Sequence, residues 1–313
     1  MAAPSRVRYR RGMRIAPLLP SHLPSAELVL EQACDYDRAD EVAEEKLFGP
    51  GPLSAPRAGS PAPELGQPLA FGAWDDAHEL VGVASVCGKW LRVLAVIPEV
   101  RGRGAGSALL LACEQAGARR TLDQPGNYLA PGIDVRNTET IAWLERRGWR
   151  RTPEPRTNVL IAVRDNPRVS AVRAGELGAA AAAKGYEVRR ARHDESGLLD
   201  AVVAEFGGAW PYEVSRALDL RTSPGVHVAL KDGRYCAFAA HDGNNTGLGW
   251  FGPTGTWPAH RGQGLGEALL LACLVDVAQQ HERCEVAWIG PRPFYEKVAG
   301  IVEDRHFVVL TKP

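Results

Sequence analysis

Apolar residues along the chain fall into short runs separated by longer stretches where they recur at helical spacing, and the same order is met twice. In the first half, residues 27–47 read as a helix. The stretch GPGPLSAPRAGSPAPELGQP follows, too rich in proline and glycine for regular structure and expected to be a mobile surface loop. Runs at 67–74, 79–86 and 90–97, parted by Asp75-Asp76 and Gly88, predict an antiparallel meander. Leu109, Leu110, Ala112, Cys113 and Ala116 then share one helical face, before a strand at 128–135, a helix at 137–147 and a final strand at 158–163. The second half predicts a strand at 186–189, helices at 196–205 and 211–220, and strands at 226–230, 235–240 and 248–257. A helix at 264–279, a strand at 284–289 and a short helix at 292–298 complete it. The pattern is that of an α+β unit occurring twice.

The repeat is also visible residue by residue. RGRGAGSALLLAC at 101–113 and RGQGLGEALLLAC at 261–273 agree at ten of thirteen positions with an offset of 160. Solenoid periods are about 20 to 50 residues, so this offset marks a duplicated domain. The expected domains are 12–164 and 184–313. The intervening 165–183 is expected to be an Ala- and Gly-rich linker with one helical turn.

Composition narrows the function classes. Thirty-seven basic residues balance thirty-seven acidic ones, so no global field recruits nucleic acid or an anionic membrane. Arg6, Arg8, Arg10, Arg11 and Arg14 cluster at the N-terminus and are expected to form a solvated tail. No targeting segment or uninterrupted membrane-length apolar run is present, which points to a cytoplasmic protein. The six cysteines form no CxxC pair and sit among apolar neighbours, as reduced packed thiols do, and no metal site is expected.

The two glycine clusters carry the chemistry. A strand that turns through glycines into a helix start aims free backbone N–H groups and the positive helix end at one point, a place suited to phosphate. The dinucleotide fingerprint fails because Ser107 and Glu267 stand where its third glycine belongs, and the P-loop fails for want of a lysine. What remains is Arg-x-x-Gly-x-Gly at the head of an apolar helix.

That motif resembles the pyrophosphate loop of the GNAT superfamily of acetyl-coenzyme A-dependent N-acyltransferases. NTETIAWLERRGW and RPFYEKVAGI are similar to the helix that follows it in the family. The resemblance spans most of the chain in tandem and implies two domains, each a mixed, mostly antiparallel sheet flanked by helices. It implies acetyl-CoA as cofactor, with its diphosphate on Arg101, Gly102, Arg103, Gly104, Ala105 and Gly106, and on Arg261, Gly262, Gln263, Gly264, Leu265 and Gly266. Its pantetheine arm would pair with Leu94, Ala95 and Val96, and with Thr254, Gly255, Thr256 and Trp257. The acceptor would be the amine of a small molecule, and the protein a monomer or homodimer.

Acyl transfer to an amine needs a proton for the departing thiolate. The resemblance gives this to Tyr295, whereas counting back from Gly148 puts Leu144 at that place in the first half. The second domain is therefore expected to be the catalyst and the first a degenerate copy still able to bind coenzyme A, an active first domain with water or another residue as acid being the alternative. Pro253 and two glycines require a bulged or splayed strand in the second half, whereas VLAVIP in the first reads as clean. Glu213 is the leading candidate base, ahead of Glu285, Asp242 and His241, each also readable as a surface residue. His260 is expected to be an exposed loop histidine or a phosphate contact, and Phe206, Trp210 and Tyr212 to line an acceptor cleft or pack in the core. A non-catalytic acyl-CoA-binding protein and a GNAT-fold enzyme of altered acyl-CoA chemistry are the alternatives.

Overall fold

The computed structural model describes residues 8–9, 13–55 and 57–313, with Arg8, Tyr9 and Ser196 described by their backbone alone. Arg6, Arg10 and Arg11 of the arginine cluster lie outside the described residues. The chain forms two units. The first holds the chain up to Leu53 with Glu64–Pro155 and Phe307–Pro313, and the second holds Ser54–Pro63 and Arg156–His306.

Unit 1 runs β1 (Arg8–Tyr9), β2 (Met13–Pro17), α1 (Leu23–Ala33), α2 (Ala43–Leu47), β3 (Gly51–Pro52), β4 (Leu65–Gly66), β5 (Leu69–Trp74), β6 (Leu80–Cys87), β7 (Trp90–Val96), α3 (Ala105–Gln115), β8 (Arg120–Thr121), β9 (Ile133–Asp134), α4 (Thr138–Glu145) and β10 (Arg150–Arg151). The expected meander is β5-β6-β7, and α3 lays Leu109, Leu110 and Cys113 on it, against Ala84, Val86 and Leu91. Burial of each such leucine contributes about 1.5–3 kcal/mol. Two expectations differ. The helix read over 27–47 is broken at Cys34, because Asp35, Asp37, Arg38 and Asp40 give it no apolar face to bury. The strand read over 128–135 shrinks to β9, and residues 126–132 are instead buried chain outside the ladder, where Arg92 donates to the Asn127 carbonyl.

Unit 2 runs β11 (Arg156–Ala162), α5 (Ala171–Ala182), β12 (Glu187–Arg190), α6 (Ser196–Glu205), α7 (Trp210–Leu218), β13 (Val226–Lys231), β14 (Arg234–His241), β15 (Trp250–Thr256), α8 (Leu265–Val277), β16 (Arg283–Val286), α9 (Arg292–Val298) and β17 (Glu303–Val308). Leu265, Leu269, Leu270 and Cys273 of α8 pack on Ala237, Ala239, Phe251 and Val286. The opposite face is covered by α6 and α7 through Leu198, Val202, Val214 and Ala217. The segment expected to be a linker with one helical turn is the 12-residue α5, capped by Ser170, whose Oγ accepts from the Arg173 N–H at 3.2 Å. The Pro- and Gly-rich stretch expected to be mobile is docked. The Gly59 N–H donates to the Val203 carbonyl at 3.1 Å, and a Cβ on Gly207 would meet the Arg57 carbonyl carbon at 2.4 Å.

The sheets are mixed and mostly antiparallel. Unit 1 has the order β1-β2-β5-β6-β7-β8-β18-β10, where β18 is Leu310–Thr311, and among the described residues only β7 and β8 run parallel. Unit 2 has the order β12-β13-β14-β15-β16-β11-β17, with β15 and β16 parallel. The strand expected to end the first half, β11, thus lies against β16 of the second, with Val159 opposite Val286.

Candidate functional site

Each unit carries a strand-to-helix crossing of the same shape. After β15, one 3₁₀ turn (Pro258–His260) leads through Gly262 at φ 75° and Gly264 at φ 88° into α8. In unit 1, Pro98–Val100 leads through Gly102 at φ 78° and Gly104 at φ 103° into α3. A Cβ at any of these four would meet nothing within 4 Å, so backbone conformation, not crowding, calls for glycine. The first helical bond runs from the Ala268 N–H to the Gly264 carbonyl at 3.1 Å, leaving the amides of Leu265, Gly266 and Glu267 to the helix mouth. The third glycine has another role. A Cβ on Gly266 would sit 3.7 Å from Phe294, and one on Gly106 would sit 3.7 Å from Trp143, ordinary contact distance, so this position faces the ring of the helix that packs there.

Arginine clips both loops to their strands. Arg261 Nε donates to the Thr256 carbonyl at 3.2 Å, and Arg101 Nε to that of Val96 at 3.0 Å. Unit 2 adds supports that sequence reading missed. Lys184 Nζ donates to the Gln263 carbonyl at 2.9 Å, and Arg173 pairs with Glu267 at 2.8 Å. Ser170 as a cap before an alanine-rich run was the available signal that this segment is a helix able to present them. His260 is held by Tyr186, whose hydroxyl lies 3.1 Å from His260 Nδ1, and so braces the loop. Arg103 is exposed, whereas Ala105 and Leu265 are buried in the first turns of their helices.

The strands leading to these loops diverge from their parallel neighbours in both units. The parallel pairing of β7 with β8 covers Trp90 and Leu91, and that of β15 with β16 covers Trp250 and Phe251. Beyond it, Leu94, Ala95 and Val96, and Thr254, Gly255 and Thr256, bond on their other edge to β6 and β14. They offer the free edge to an extended ligand with amide groups, and Trp257 follows directly. The splay expected of the second copy is accompanied by a β-bulge, and the first-copy strand, expected to be clean, is bulged too.

Tyr295 lies on α9, 5% exposed, its ring edge-on to Phe251 and Phe294. Burial, helped by nearby Cys284, pushes its hydroxyl up to about 12, so it keeps its proton at neutral pH. Leu144 takes the matching place in unit 1, since Trp143 and Phe294 contact equivalent glycines. The extra residue before Gly300 is absorbed at the end of α9, where the Gly300 N–H reaches the Tyr295 carbonyl.

Glu213 is buried in the first turn of α7, beside the Asp242–Gly249 loop. Glu285 is bound by Arg305 at 3.0 Å and Asn158 at 2.6 Å, a structural ion pair. Asp242 accepts from the Gly247 and Gly249 amides and from His241, so it holds its own loop. Phe206, Trp210, Phe238 and Trp257 form one aromatic cluster with centroids 4.9 to 6.1 Å apart. Phe206 presses on Gly255, where a Cβ would come within 2.7 Å of its ring. Arg216 lies over the face of Tyr212.

The cysteines are free, and burial raises Cys34 and Cys113 to about 12. Among the described residues no His, Cys, Asp and Glu group could hold a metal ion, and no helix is long and apolar enough to cross a membrane.

The sequence profile of the acetyltransferase (GNAT) family matches twice, over residues 38–149 and 196–301. No curated protein matches the sequence. Among solved structures, a GCN5-related glucosamine N-acetyltransferase region of a fungal multi-domain GH3 beta-N-acetylglucosaminidase is similar at TM-score 0.70 and 15% identity. That match covers 95% of this chain and 38% of the other. A tandem GNAT protein from the clavulanic acid biosynthesis pathway is similar at TM-score 0.61 and 17% identity, over 96% and 98% of the two chains. A GCN5-related N-acetyltransferase from Sphaerobacter thermophilus is similar at TM-score 0.60 and 17% identity, over 96% and 95%. With both glycine crossings inside the matched segments and two mixed sheets of the same kind, the chain belongs to the GNAT acetyltransferase family, in tandem form.

Proposed function

We propose that unit 2 transfers an acetyl or other short acyl group from coenzyme A directly to the amine of a small molecule. The observation that carries this reading is the free edge of β15 from Thr254 to Thr256, running straight into a glycine loop with unpaired amides. The donor set fits the cofactor: an amide-lined edge for pantetheine at Thr254, Gly255, Thr256 and Trp257, then the Arg261–Gly266 loop and the positive end of α8 for a diphosphate. Bound there, acetyl-CoA supplies the activated thioester. Tyr295 holds the hydroxyl proton that the departing sulfur needs, and Glu213 takes the proton of the incoming amine. The half-buried aromatic cluster of Phe206, Trp210 and Trp257 forms one wall of the acceptor side.

Coenzyme A release from acetyl-CoA in the presence of a panel of small amines tests the reading. Turnover is expected, and Gly264→Trp, which projects a ring into the diphosphate position, should lower coenzyme A affinity in calorimetry by about tenfold or more. Undiminished affinity would place the cofactor elsewhere. Unit 1 keeps the same loop geometry at Arg101–Gly106, which supports a second coenzyme A site, with Leu144 leaving it no acid.

A further inference from the structure

The two units carry their β-bulge at the same register and fill it with opposite kinds of residue. In unit 1, Ser85 pairs with Val93 and Val86 with Leu91, so Arg92 is the extra residue. In unit 2, Ala239 pairs with Thr254 and His241 with Phe251, so Gly252 and Pro253 face Ala240 alone. Arg92 and Gly252 each directly follow the last residue paired with the parallel neighbour, Leu91 with Thr121 and Phe251 with Val286. They stand 160 residues apart, the offset of the repeat itself. Both therefore sit at the point where the strands begin to diverge.

In unit 1 that point is filled. Arg92 is fully buried and donates to the Gly49 carbonyl at 2.6 Å and to the Asn127 carbonyl at 3.5 Å. Asn127, also fully buried, donates to the Pro50 carbonyl at 2.7 Å and accepts from Lys46 Nζ at 2.9 Å. The lock thus joins α2, the chain that follows it, and the connection between β8 and α4, whose residues 126–134 are buried. The corresponding connection in unit 2, residues 287–291, is only a short link. Two buried cations, Arg92 held by backbone carbonyls and Lys46 by Asn127 and the Glu45 carboxylate, are costly to unmake, because any opening leaves them unsatisfied. In unit 2 the same point is open: Gly252 has φ 131°, and a Cβ there would meet nothing within 4 Å.

We propose that the bulge residue decides which repeat can carry an S-acyl group. Gly252 leaves the divergence of β15 and β16 open to the thioester end of bound coenzyme A, whereas Arg92, tied to Asn127 and through it to Lys46, closes that of β7 and β8. This rests on unit 2 being the coenzyme A-dependent transferase, and goes beyond it by making unit 1 a copy that cannot hold a substituted thiol at all.

Calorimetry with coenzyme A and with S-benzyl-coenzyme A tests the gate, using wild type, Gly252→Arg, Gly252→Ala and Gly104→Trp. Arginine and alanine share the backbone strain of φ 131° and differ in bulk. Gly252→Arg is expected to keep coenzyme A affinity and to weaken S-benzyl-coenzyme A by about tenfold or more, while Gly252→Ala and Gly104→Trp bind it as wild type does. The gate is overturned if Gly252→Arg binds S-benzyl-coenzyme A as tightly as wild type, if Gly252→Ala loses it equally, or if Gly104→Trp abolishes it. It is overturned too if wild type binds coenzyme A but not the S-benzyl form. Wild type that binds no coenzyme A would instead sink the transferase reading.

Discussion

Tyr295 and Leu144 stand at one position in two copies of one helix, and their difference is chemical. Tyr295→Phe removes a hydroxyl and little packing. Turnover should fall by about 10²-fold or more with coenzyme A affinity unchanged, a pattern read from steady-state rates beside calorimetry. Because burial holds the phenol up at about 12, no limb of the rate profile between pH 6 and 10 should belong to Tyr295, and its loss should leave the profile's shape intact. Leu144→Ala leaves a cavity in the unit 1 core and should cost roughly 2–5 kcal/mol in urea titration, without changing turnover per folded molecule. This contrast was legible in sequence, since counting back from Gly148 lands on Leu144 whatever the fold. The bulge at Arg92 was not: VLAVIP carries no proline or glycine inside the strand to announce it, and an arginine there reads as solvated until its carbonyl partners are known.

At the scale of elements, the meanders and glycine-led helices were legible because short apolar runs bounded by Asp and Gly read as strands and longer glycine-led ones as helices. Helix α5 was not, as its packed stripe of Ala174, Leu177 and Ala181 is mostly alanine, which a glycine-interrupted alanine run does not set apart. Its support of the loop is testable: Lys184→Ala should weaken coenzyme A binding by about threefold, with less effect at high salt. The far end of α8 carries a buried charge network. Asp276 is bound by Arg190 on β12 and His227 on β13, and lies 3.5 Å from His241 Nε2, while His241 Nδ1 lies 2.8 Å from Asp242. Burial works against the charged imidazole, but these two carboxylates outweigh it and raise His241 from 6.5 to about 8. The protonated form is thus favoured by folding. Its stabilisation, about 2 kcal/mol, is complete below pH 6.5 and is lost as pH rises through 8. Asp276 is held far below its ordinary 3.8, although burial opposes it, by hydrogen bonds from His227, His241 and Arg190, so its contribution fades only in acid. Urea unfolding of the wild type should therefore show unit 2 losing stability between pH 6.5 and 8.5, and His241→Gln should flatten that slope.

Across the whole molecule, the duplication was legible and the routing of strands was not. The hydrophobic run at 158–163 announces a strand without saying which edge it joins, and only the pairing of Val159 with Val286 decides it. Likewise Thr311 lies opposite Arg120 and Arg150, so β18 fills the gap between β8 and β10 in the sheet of unit 1. A chain cut after residue 164 should therefore yield two fragments that each lack an interior strand and unfold or aggregate alone, checked by circular dichroism of each piece and of the mixture. The same routing bears on how the protein is made. Residues up to 155 leave the ribosome with an unfilled slot between two strands, and the piece that fills it comes from residues 307–313. During synthesis the first half must wait with an open sheet edge while the entire second half is translated, so its exposure to chaperones and to mispairing is set by the elongation rate over those intervening residues.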